Sequence, residues 1–317
     1  MYRYYIMQTQ SLISIVIPVY NRASIVLRTL ECISNQSYRP IDVILVDNGS
    51  TDGSYEILQK WKSENESAKL KISLLDCPTK GVCRARNAGL NIVTTPYVMF
   101  FDSDDLMAEN HLERIAKNIE DNPDADIIGW DIDCVFLGGK RRRLMFGTGD
   151  YMYNHIFHAS LSTIRYVCKT ELMRKAGGWN EQVDGWNDYE LGVRIMLLNP
   201  LIVYAGKEIT VTVLRQEESI TGTGFSAHPQ RWETSLDFCH KHLLQSEYSH
   251  LIKWIETRRA ILAGHYTREK HPEEGKRLLN EVLSRQSSRY NRMFFRFIHR
   301  FIACGGRGTA ILAKIFI

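Results

Sequence analysis

Paired cysteines, long apolar runs and glycine-rich phosphate loops are all missing from this sequence. The seven cysteines are scattered without a CxxC pair or a zinc-site spacing, which favours reduced, packed thiols in the cytosol. No run of about 18 apolar residues is present, so we predict no membrane span. Residues 11–19 are too short for a signal peptide and lack a cleavage site. GxGxxG and GxxxxGK[ST] are absent as well, which excludes the dinucleotide fingerprint and the P-loop.

Acidic residues are missing from the end of the chain. After Glu281 there are seven basic residues and no acidic one. The net charge of +4 therefore belongs to this tail, and the preceding part is slightly acidic. Because the basic character is not a property of the whole molecule, we predict no nucleic-acid partner.

Apolar, β-branched runs alternate with amphipathic patterns in the first half of the chain. The predicted strands are residues 13–19, 41–46, 71–75 and 97–101. Such alternation is typical of an α/β fold with a mostly parallel sheet covered by helices on both faces. We expect a catalytic domain at residues 1–228, with halves 1–125 and 126–228. A helical C-terminal extension follows at residues 229–317.

The fourth predicted strand ends in three carboxylates within four residues, Asp102, Asp104 and Asp105. Asp47 follows the second strand, so it belongs to the same edge of a parallel sheet, where ligands bind. Carboxylates suit Mg²⁺ or Mn²⁺. With no phosphate loop in the sequence, phosphates would be held through such a metal. The alternative is an acidic turn that caps the next helix.

The second half continues with another predicted strand at residues 127–135. Residues 138–149 include four consecutive basic residues and predict a hairpin or a mobile loop that is solvated. Leu191, Ile195 and Leu198 have helical spacing, which places Asp188 in the first turn of a helix. A helix N-terminus stabilises an ionised carboxylate, so we expect Asp188 to be deprotonated at neutral pH.

The basic tail has an amphipathic segment at residues 289–302. Its predicted apolar face comprises Met293, Phe294, Phe297, Ile298 and Phe301, with arginines on the other side. This pattern favours an anionic membrane surface as partner. The competing interpretation is a helix docked on the catalytic domain or on a second subunit. We therefore expect a cytoplasmic protein, with a peripheral position on the inner face of the cell membrane if the first interpretation holds.

Four segments occur in an order and spacing that resemble a known family. They are residues 17–22 (IPVYNR), 46–54 (VDNGSTDGS), 81–89 (GVCRARNAG) and 101–105 (FDSDD). Together they resemble the family 2 glycosyltransferases, inverting enzymes of GT-A fold. The resemblance covers the N-terminal half and implies a GT-A-like nucleotide-binding sheet.

The resemblance implies a set of donor-binding residues at the edge of this sheet. The set is Pro18, Val19, Tyr20, Asn21, Asp47, Arg86, Asn87, Asp102, Ser103 and Arg215. Tyr20 would stack on the base, and Asp47 would accept a hydrogen bond from an N–H of uracil. Asp104 would ligate Mn²⁺ or Mg²⁺, while Asp102 would reach the ribose or the metal. Arg215 would contact the diphosphate.

The resemblance also places the catalytic base at Asp188, with Trp186 and Asn187 as acceptor-binding residues. The sequence departs from the family at Asn187, where the family usually has an acidic residue, and this departure bears on acceptor choice. Gln216 stands where a histidine is expected, so a metal ligand from this loop is in doubt. His228 is an outside candidate for that ligand.

The resemblance thus implies a metal-dependent inverting glycosyltransferase that uses a nucleotide-sugar, with UDP as the expected nucleotide. The expected acceptor is a hydroxyl of a glycan or of a lipid-linked oligosaccharide in surface polysaccharide synthesis. Two alternatives remain: a catalytically impaired nucleotide-sugar or glycan binder, and a nucleotidyltransferase. The first conflicts with Asp188, and the second needs a glycine- and lysine-rich loop that the N-terminus lacks.

Overall fold

A seven-stranded sheet forms the centre of the protein, whose computed structural model describes residues 10–215 and 224–316. Its strands are β1 (Ile13–Val19), β2 (Ile41–Asp47), β3 (Leu70–Asp76), β4 (Tyr97–Phe100), β6 (Ile127–Gly129), β9 (Tyr166–Lys169) and β10 (Ile202–Tyr204). Their spatial order is β10-β6-β9-β4-β1-β2-β3. Every neighbouring pair is parallel except those made by β9, which runs antiparallel to β4 and β6. The prediction of a mostly parallel sheet is confirmed.

Helices cover both faces of this sheet. They are α1 (Val26–Ser34), α2 (Ser54–Asn65), α3 (Val82–Ile92), α4 (His111–Asp121), α5 (Tyr151–His158), α6 (Thr170–Lys175) and α7 (Asn187–Met196). Successive side chains of a strand point to opposite faces. On β1, Ile15 and Ile17 pack in the core with α1, α2 and α4, whereas Val16 packs in the core with α3, α6 and α7. All seven residues of β1 are buried, as a strand covered on both faces requires.

A second, four-stranded sheet contains β5 (Leu106–Met107), β7 (Ile132–Val135), β8 (Arg141–Leu144) and β11 (Val211–Leu214). The prediction of one strand over residues 127–135 is wrong, since β6 and β7 lie in different sheets. The strand is interrupted at Asp131. Its buried carboxylate accepts hydrogen bonds from Arg143 (2.6 Å), the N–H of Phe146 (2.7 Å) and Tyr204 (2.9 Å). The predicted hairpin at residues 138–149 is confirmed in part: β7 pairs with β8, but the hairpin begins earlier, at Ile132, and ends at Leu144.

The C-terminal region is helical, as predicted. It comprises α8 (Pro229–Leu244), α9 (Ile252–Arg268), α10 (Pro272–Ser284), α11 (Arg289–Ala303) and α12 (Thr309–Phe316), with single 3₁₀ turns at Phe225–Ala227 and Ser249–Leu251. Trp232 and Leu236 of α8 share a hydrophobic core with Tyr189 and Val193 of α7. The region is therefore packed directly against the helix that carries Asp188.

Helix α11 is docked on the rest of the chain. Phe294, Phe295, Ile298 and Ile302 are buried and pack against α9 and α10. The predicted apolar face was wrong in part, because Met293 (68% exposed), like Phe297, remains at the surface. In the described part of the chain, no helix combines the length and apolarity that a bilayer span requires.

Candidate active site

A cavity of about 540 Å³ opens where β1 and β4 end and α7 begins. It contains most of the residues that sequence analysis singled out. Those that line it are Pro18, Val19, Tyr20, Arg86, Asp102, Ser103, Asp104, Trp186, Asn187, Asp188 and Arg215. Segments separated by almost two hundred residues thus meet in one place, at the edge of the sheet where α/β proteins bind ligands.

The loop after β4 brings two carboxylates, those of Asp102 and Asp104, to the cavity. Burial, and then the charge of Asp102, raise the pKa of Asp104, while Arg22 lies 3.8 Å from it and acts in the opposite direction. Asp105 is turned away and buried, and its carboxylate accepts a hydrogen bond from the N–H of Leu214 (3.1 Å). Asp105 therefore fastens the loop to β11, as an orienting residue would.

Asp102 and Asp104 fit a divalent cation. Two carboxylates that share a cavity repel each other, and their oxygens are the ligands that Mg²⁺ and Mn²⁺ prefer. Among the described residues, no group of three or more His, Cys, Asp and Glu side chains is arranged to hold a metal. Water and the oxygens of a bound ligand would complete the coordination shell.

Arg86 of α3 links the two halves of the cavity. Its guanidinium donates to Asp102 (2.8 Å) and to the side-chain oxygen of Asn187 (3.2 Å). It also stacks over the ring of Trp179, 4.3 Å from the centroid. Because the Arg86 side chain is buried, these contacts fix the position of the start of α7 relative to the end of β4.

Asp188 lies in the first turn of α7, as predicted. The turn is entered through Trp186, whose φ of 50° is left-handed and whose carbonyl accepts a hydrogen bond from Ser235 of α8 (3.0 Å). A left-handed conformation in a bulky residue is strained and occurs mostly at functional sites. Burial raises the pKa of Asp188, whereas the charge of Arg86 lowers it. Burial is thus the largest influence on the pKa of Asp188, ahead of Arg86 and the hydrogen bond from the N–H of Tyr189.

Helix α7 is anchored on its far side by a buried ion pair. Glu190 is fully buried and receives two hydrogen bonds from Arg194 (2.8 and 2.7 Å) and one from His242 of α8 (2.9 Å). Burial alone would raise the pKa of Glu190, but these partners lower it. Arg194 therefore stabilises the helix from outside the cavity.

The loops after β1 and β2 form the other end of the cavity. The ring of Tyr20 is exposed, and Lys80 donates to its hydroxyl (2.8 Å). Asn48 lines the cavity and donates to the carbonyls of Cys77 and Thr79, both at 2.9 Å. An exposed aromatic ring beside a cation is a surface on which a nucleobase can stack.

Three predicted donor residues do not line the cavity. Asp47 is buried and directly precedes Asn48, which lines the cavity. Its carboxylate accepts hydrogen bonds from the N–H groups of Gly49 and Ser50. Asn21 accepts a hydrogen bond from the N–H of Thr51 (2.9 Å). Two further residues were considered as metal ligands rather than donor contacts. Of these, His228 lines a separate cleft beside α8, and Gln216 lies outside the described residues.

Asn87 is the third of these donor residues. Its amide donates to the carbonyl of Trp179 (2.9 Å) and accepts from the N–H of the same residue (2.8 Å). Both ends of the side chain are thus used to fasten the segment after α6 to α3.

Three arginines that sequence analysis did not select also line the cavity: Arg22, Arg165 and Arg258. Arg22 lies inside the first motif and could have been chosen for that reason. Arg165 precedes β9, and Arg258 is in the middle of α9, and no local motif marks either of them. Their place depends on how distant elements pack.

Residues 14–176, about half of the chain, match the family model described as glycosyl transferase family 2. This chain belongs to that family. AmsB of Erwinia amylovora, an amylovoran biosynthesis glycosyltransferase, is 39% identical over an alignment of 209 residues that covers 60% of this chain and 68% of AmsB. Glycosyltransferase GlyG of Streptococcus pneumoniae serotype 4 is 34% identical over 118 residues, 37% of this chain. The chain spans only 38% of the length of GlyG.

Solved structures share the fold at low sequence identity. TarS 1–349 of S. aureus, in complex with UDP-GlcNAc, has a TM-score of 0.68 and 16% identity, covering 93% of this chain and 92% of that chain. The mannosyltransferase PcManGT of Pyrobaculum calidifontis, in complex with GDP-Man and Mn²⁺, has a TM-score of 0.57 and 17% identity. It covers 98% of this family 2 chain and 88% of its own.

Proposed function

We propose that this protein is a metal-dependent inverting glycosyltransferase that moves a sugar from a nucleotide-sugar to a hydroxyl of a glycan or lipid-linked oligosaccharide. The main support is the convergence of Asp102, Asp104 and Asp188 on one cavity. Two carboxylates suited to a cation and a third on a helix start are the groups that diphosphate binding and base catalysis need.

In the proposed reaction, Asp188 is the general base. Its carboxylate takes the proton of the acceptor hydroxyl while the hydroxyl oxygen forms a bond to the anomeric carbon. The bond from that carbon to the nucleoside diphosphate breaks on the opposite face, which inverts the configuration. Burial that raises the pKa of Asp188 makes it a stronger base than an exposed aspartate.

The leaving diphosphate would be bound at the other end of the cavity. Arg22 and Arg215 line the wall there and offer positive charge to it. Asp102 and Asp104 would hold Mn²⁺ or Mg²⁺, which as a Lewis acid offsets the charge on the phosphate oxygens. Tyr20 would stack on the base.

The relatives support the class of donor. TarS and PcManGT were solved with UDP-GlcNAc and GDP-Man, the latter with Mn²⁺. We favour a UDP-sugar as donor. The name of AmsB refers to amylovoran biosynthesis, which supports a growing glycan as acceptor over a free small molecule.

The proposal is tested by donor binding and by Asp188→Asn. A thermal-shift panel of UDP-, GDP- and dTDP-sugars with and without Mn²⁺ should show stabilisation by one nucleotide class that depends on the metal. We expect Asp188→Asn to lower turnover about 10²–10⁴-fold, because the amide cannot take the proton. Donor binding should stay near that of the wild type. The control is Asp121→Asn, an exposed aspartate at the end of α4. Near-native turnover in Asp188→Asn would show that Asp188 is not the general base.

We also propose that α11 contacts an anionic membrane surface with its solvent-facing side. Arg289, Arg296 and Arg300 are exposed there, together with Met293 and Phe297. Arginines attract anionic headgroups, and exposed apolar side chains insert at the boundary of the acyl chains. Docking on α9 and membrane contact are thus compatible, since they use different sides of α11.

A further inference from the structure

Arg165 is buried in the cavity wall, and none of its ion-pair distances to the described carboxylates is short enough for a salt bridge. Its side chain is 2% exposed, and it forms no ion pair with a carboxylate of the described residues. The guanidinium donates to the carbonyls of Ala159 (3.2 Å) and Leu144 (3.3 Å), and its Nε finds no hydrogen-bond partner there. The charges of Asp131 and Asp188 favour the ionised guanidinium from beyond ion-pair distance, but a buried cation that no carboxylate contacts directly is still costly.

Arg258 reaches the same wall from α9. Its guanidinium carbon lies 5.2 Å from the centroid of the Trp186 ring and 5.7 Å from that of Tyr189. Its Nε is buried without a hydrogen-bond partner, and no carboxylate of the described residues lies within ion-pair distance. Two aromatic rings thus hold a cation in the wall of the cavity that Asp188 also lines, with part of the hydrogen-bonding capacity of the guanidinium unused.

Both charges act on one region, around the end of α5. Burial, and then Arg258 and Arg165, lower the pKa of His158. Burial lowers the pKa of Arg165 to about 10, so its guanidinium is still charged at neutral pH. The neighbours that influence Asp104 are different arginines, Arg22 and Arg28. The cavity therefore has an acidic end suited to a cation and diphosphate, and a cationic wall beside Asp188.

We infer that the acceptor carries an anionic group, a phosphate or a carboxylate, close to the hydroxyl that is glycosylated, and that Arg258 and Arg165 bind this group. The inference depends on the proposed function, because it assigns the side of the cavity that holds Asp188 to the acceptor. A guanidinium fork matches the oxygens of either anion in a bidentate manner. The rings of Trp186 and Trp232, which also line the cavity, offer an apolar surface for the sugar that bears it.

The test is calorimetric titration of the full chain with three probes: glucose 6-phosphate, glucuronate and uncharged glucose. We expect at least one charged probe to bind about tenfold tighter than glucose or better, since hydrogen bonds between charged groups are the strong ones. The two charged probes distinguish phosphate from carboxylate. The preference should decrease as salt is added.

Variants assign the preference to this wall. Arg258→Met keeps the packing over Trp186 and should lose most of the preference, while Arg258→Lys should keep part of it. The control Arg268→Met, at the exposed end of the same helix, should bind all probes as the wild type does. Equal binding of all three probes, no binding of any at millimolar concentration, or an unchanged preference in Arg258→Met overturns the inference. Failure of UDP and GDP to bind the wild type would instead contradict the proposed function.

Discussion

Arg86 is the residue on which the two halves of the site depend. It bonds to Asp102 and Asn187, and its charge lowers the pKa of Asp188. The family resemblance assigned it to the donor-binding residues. Its contacts also join the end of β4 to the start of α7, so a substitution of Arg86 should change the pKa of Asp188 although no hydrogen bond between the two is seen among the described contacts.

We expect Arg86→Met to move the acidic limb of the pH–kcat profile to higher pH. Asp188 must be ionised to accept a proton, and loss of the neighbouring cation raises its pKa further. Activity is then lost at pH values at which the wild type still works. The matched control is Arg84→Met on the same helix, where Arg84 pairs at the surface with Glu181 (3.0 Å). If the acidic limb of Arg86→Met lies at the same pH as that of the wild type, Arg86 does not influence the pKa of the proposed base.

Asp104→Asn tests the cation site without relying on turnover. Asp104 shares the cavity with Asp102, and removing its charge takes away both the repulsion and half of the anionic donor set. With UDP at about 100 times its Kd, binding should stabilise the wild type by about 2.7 kcal/mol in Mn²⁺. We expect Asp104→Asn to lose the manganese-dependent part of the thermal shift. If the manganese-dependent thermal shift of Asp104→Asn equals that of Asp121→Asn, Asp104 is not a ligand of the cation.

At the scale of the element, helix α7 is held by Glu190 on the side opposite to Asp188. We expect Arg194→Met to lower the free energy of unfolding by about 3 kcal/mol, the lower end of the range for breaking a buried pair. His242 still compensates part of the Glu190 charge. Urea unfolding measures this. The control Lys175→Met removes an exposed i,i+4 pair with Glu171 and should cost less than about 1 kcal/mol.

The same ion pair has a pH dependence with a definite sign. The pKa of Glu190 is lowered in the folded protein, so its stabilisation is complete above the pKa of the unfolded chain. It is lost as the pH falls through the folded value. The stability difference between wild type and Arg194→Met should therefore shrink on acidification below about pH 4, near the ordinary pKa of a glutamate.

Elements with a clear local period could be predicted, and those set by distant partners could not. Strand β1 and helix α7 follow from apolar runs and helical spacing. The break between β6 and β7 does not, because the groups that hold Asp131 at the break come from Arg143 and Tyr204. The apolar composition of residues 127–135 gives no sign of it.

At the scale of the whole molecule, the C-terminal helices complete the cavity with Trp232 and Arg258. The acidic residues of the site could be predicted, since Asp102 and Asp104 follow a strand and Asp188 begins a helix. Arg165 and Arg258 could not, because no local motif marks them and each reaches the cavity through tertiary packing, Arg258 through the packing of α9 near α7. The acidic residues are thus predictable from local sequence, whereas these two arginines reach the cavity only through tertiary packing.

The membrane proposal belongs to this scale. We expect the triple variant Arg289→Gln, Arg296→Gln and Arg300→Gln to bind vesicles of phosphatidylserine and phosphatidylcholine roughly 100-fold more weakly, at about 1 kcal/mol per arginine. Sedimentation with the vesicles measures this, with pure phosphatidylcholine as reference. The control replaces three exposed lysines, Lys60, Lys241 and Lys276, by glutamine. Equal sedimentation of both triple variants would contradict a role for α11.

Strand β9 has a consequence for how the chain is made. It is inserted between β4 and β6 and pairs with both, although β4 ends at Phe100 and β9 begins only at Tyr166. Until residue 169 has left the ribosome, β4 exposes a row of unpaired N–H and C=O groups. Such an open edge invites pairing with another nascent chain. During synthesis the N-terminal half of the sheet is therefore vulnerable to aggregation until β9 pairs with β4.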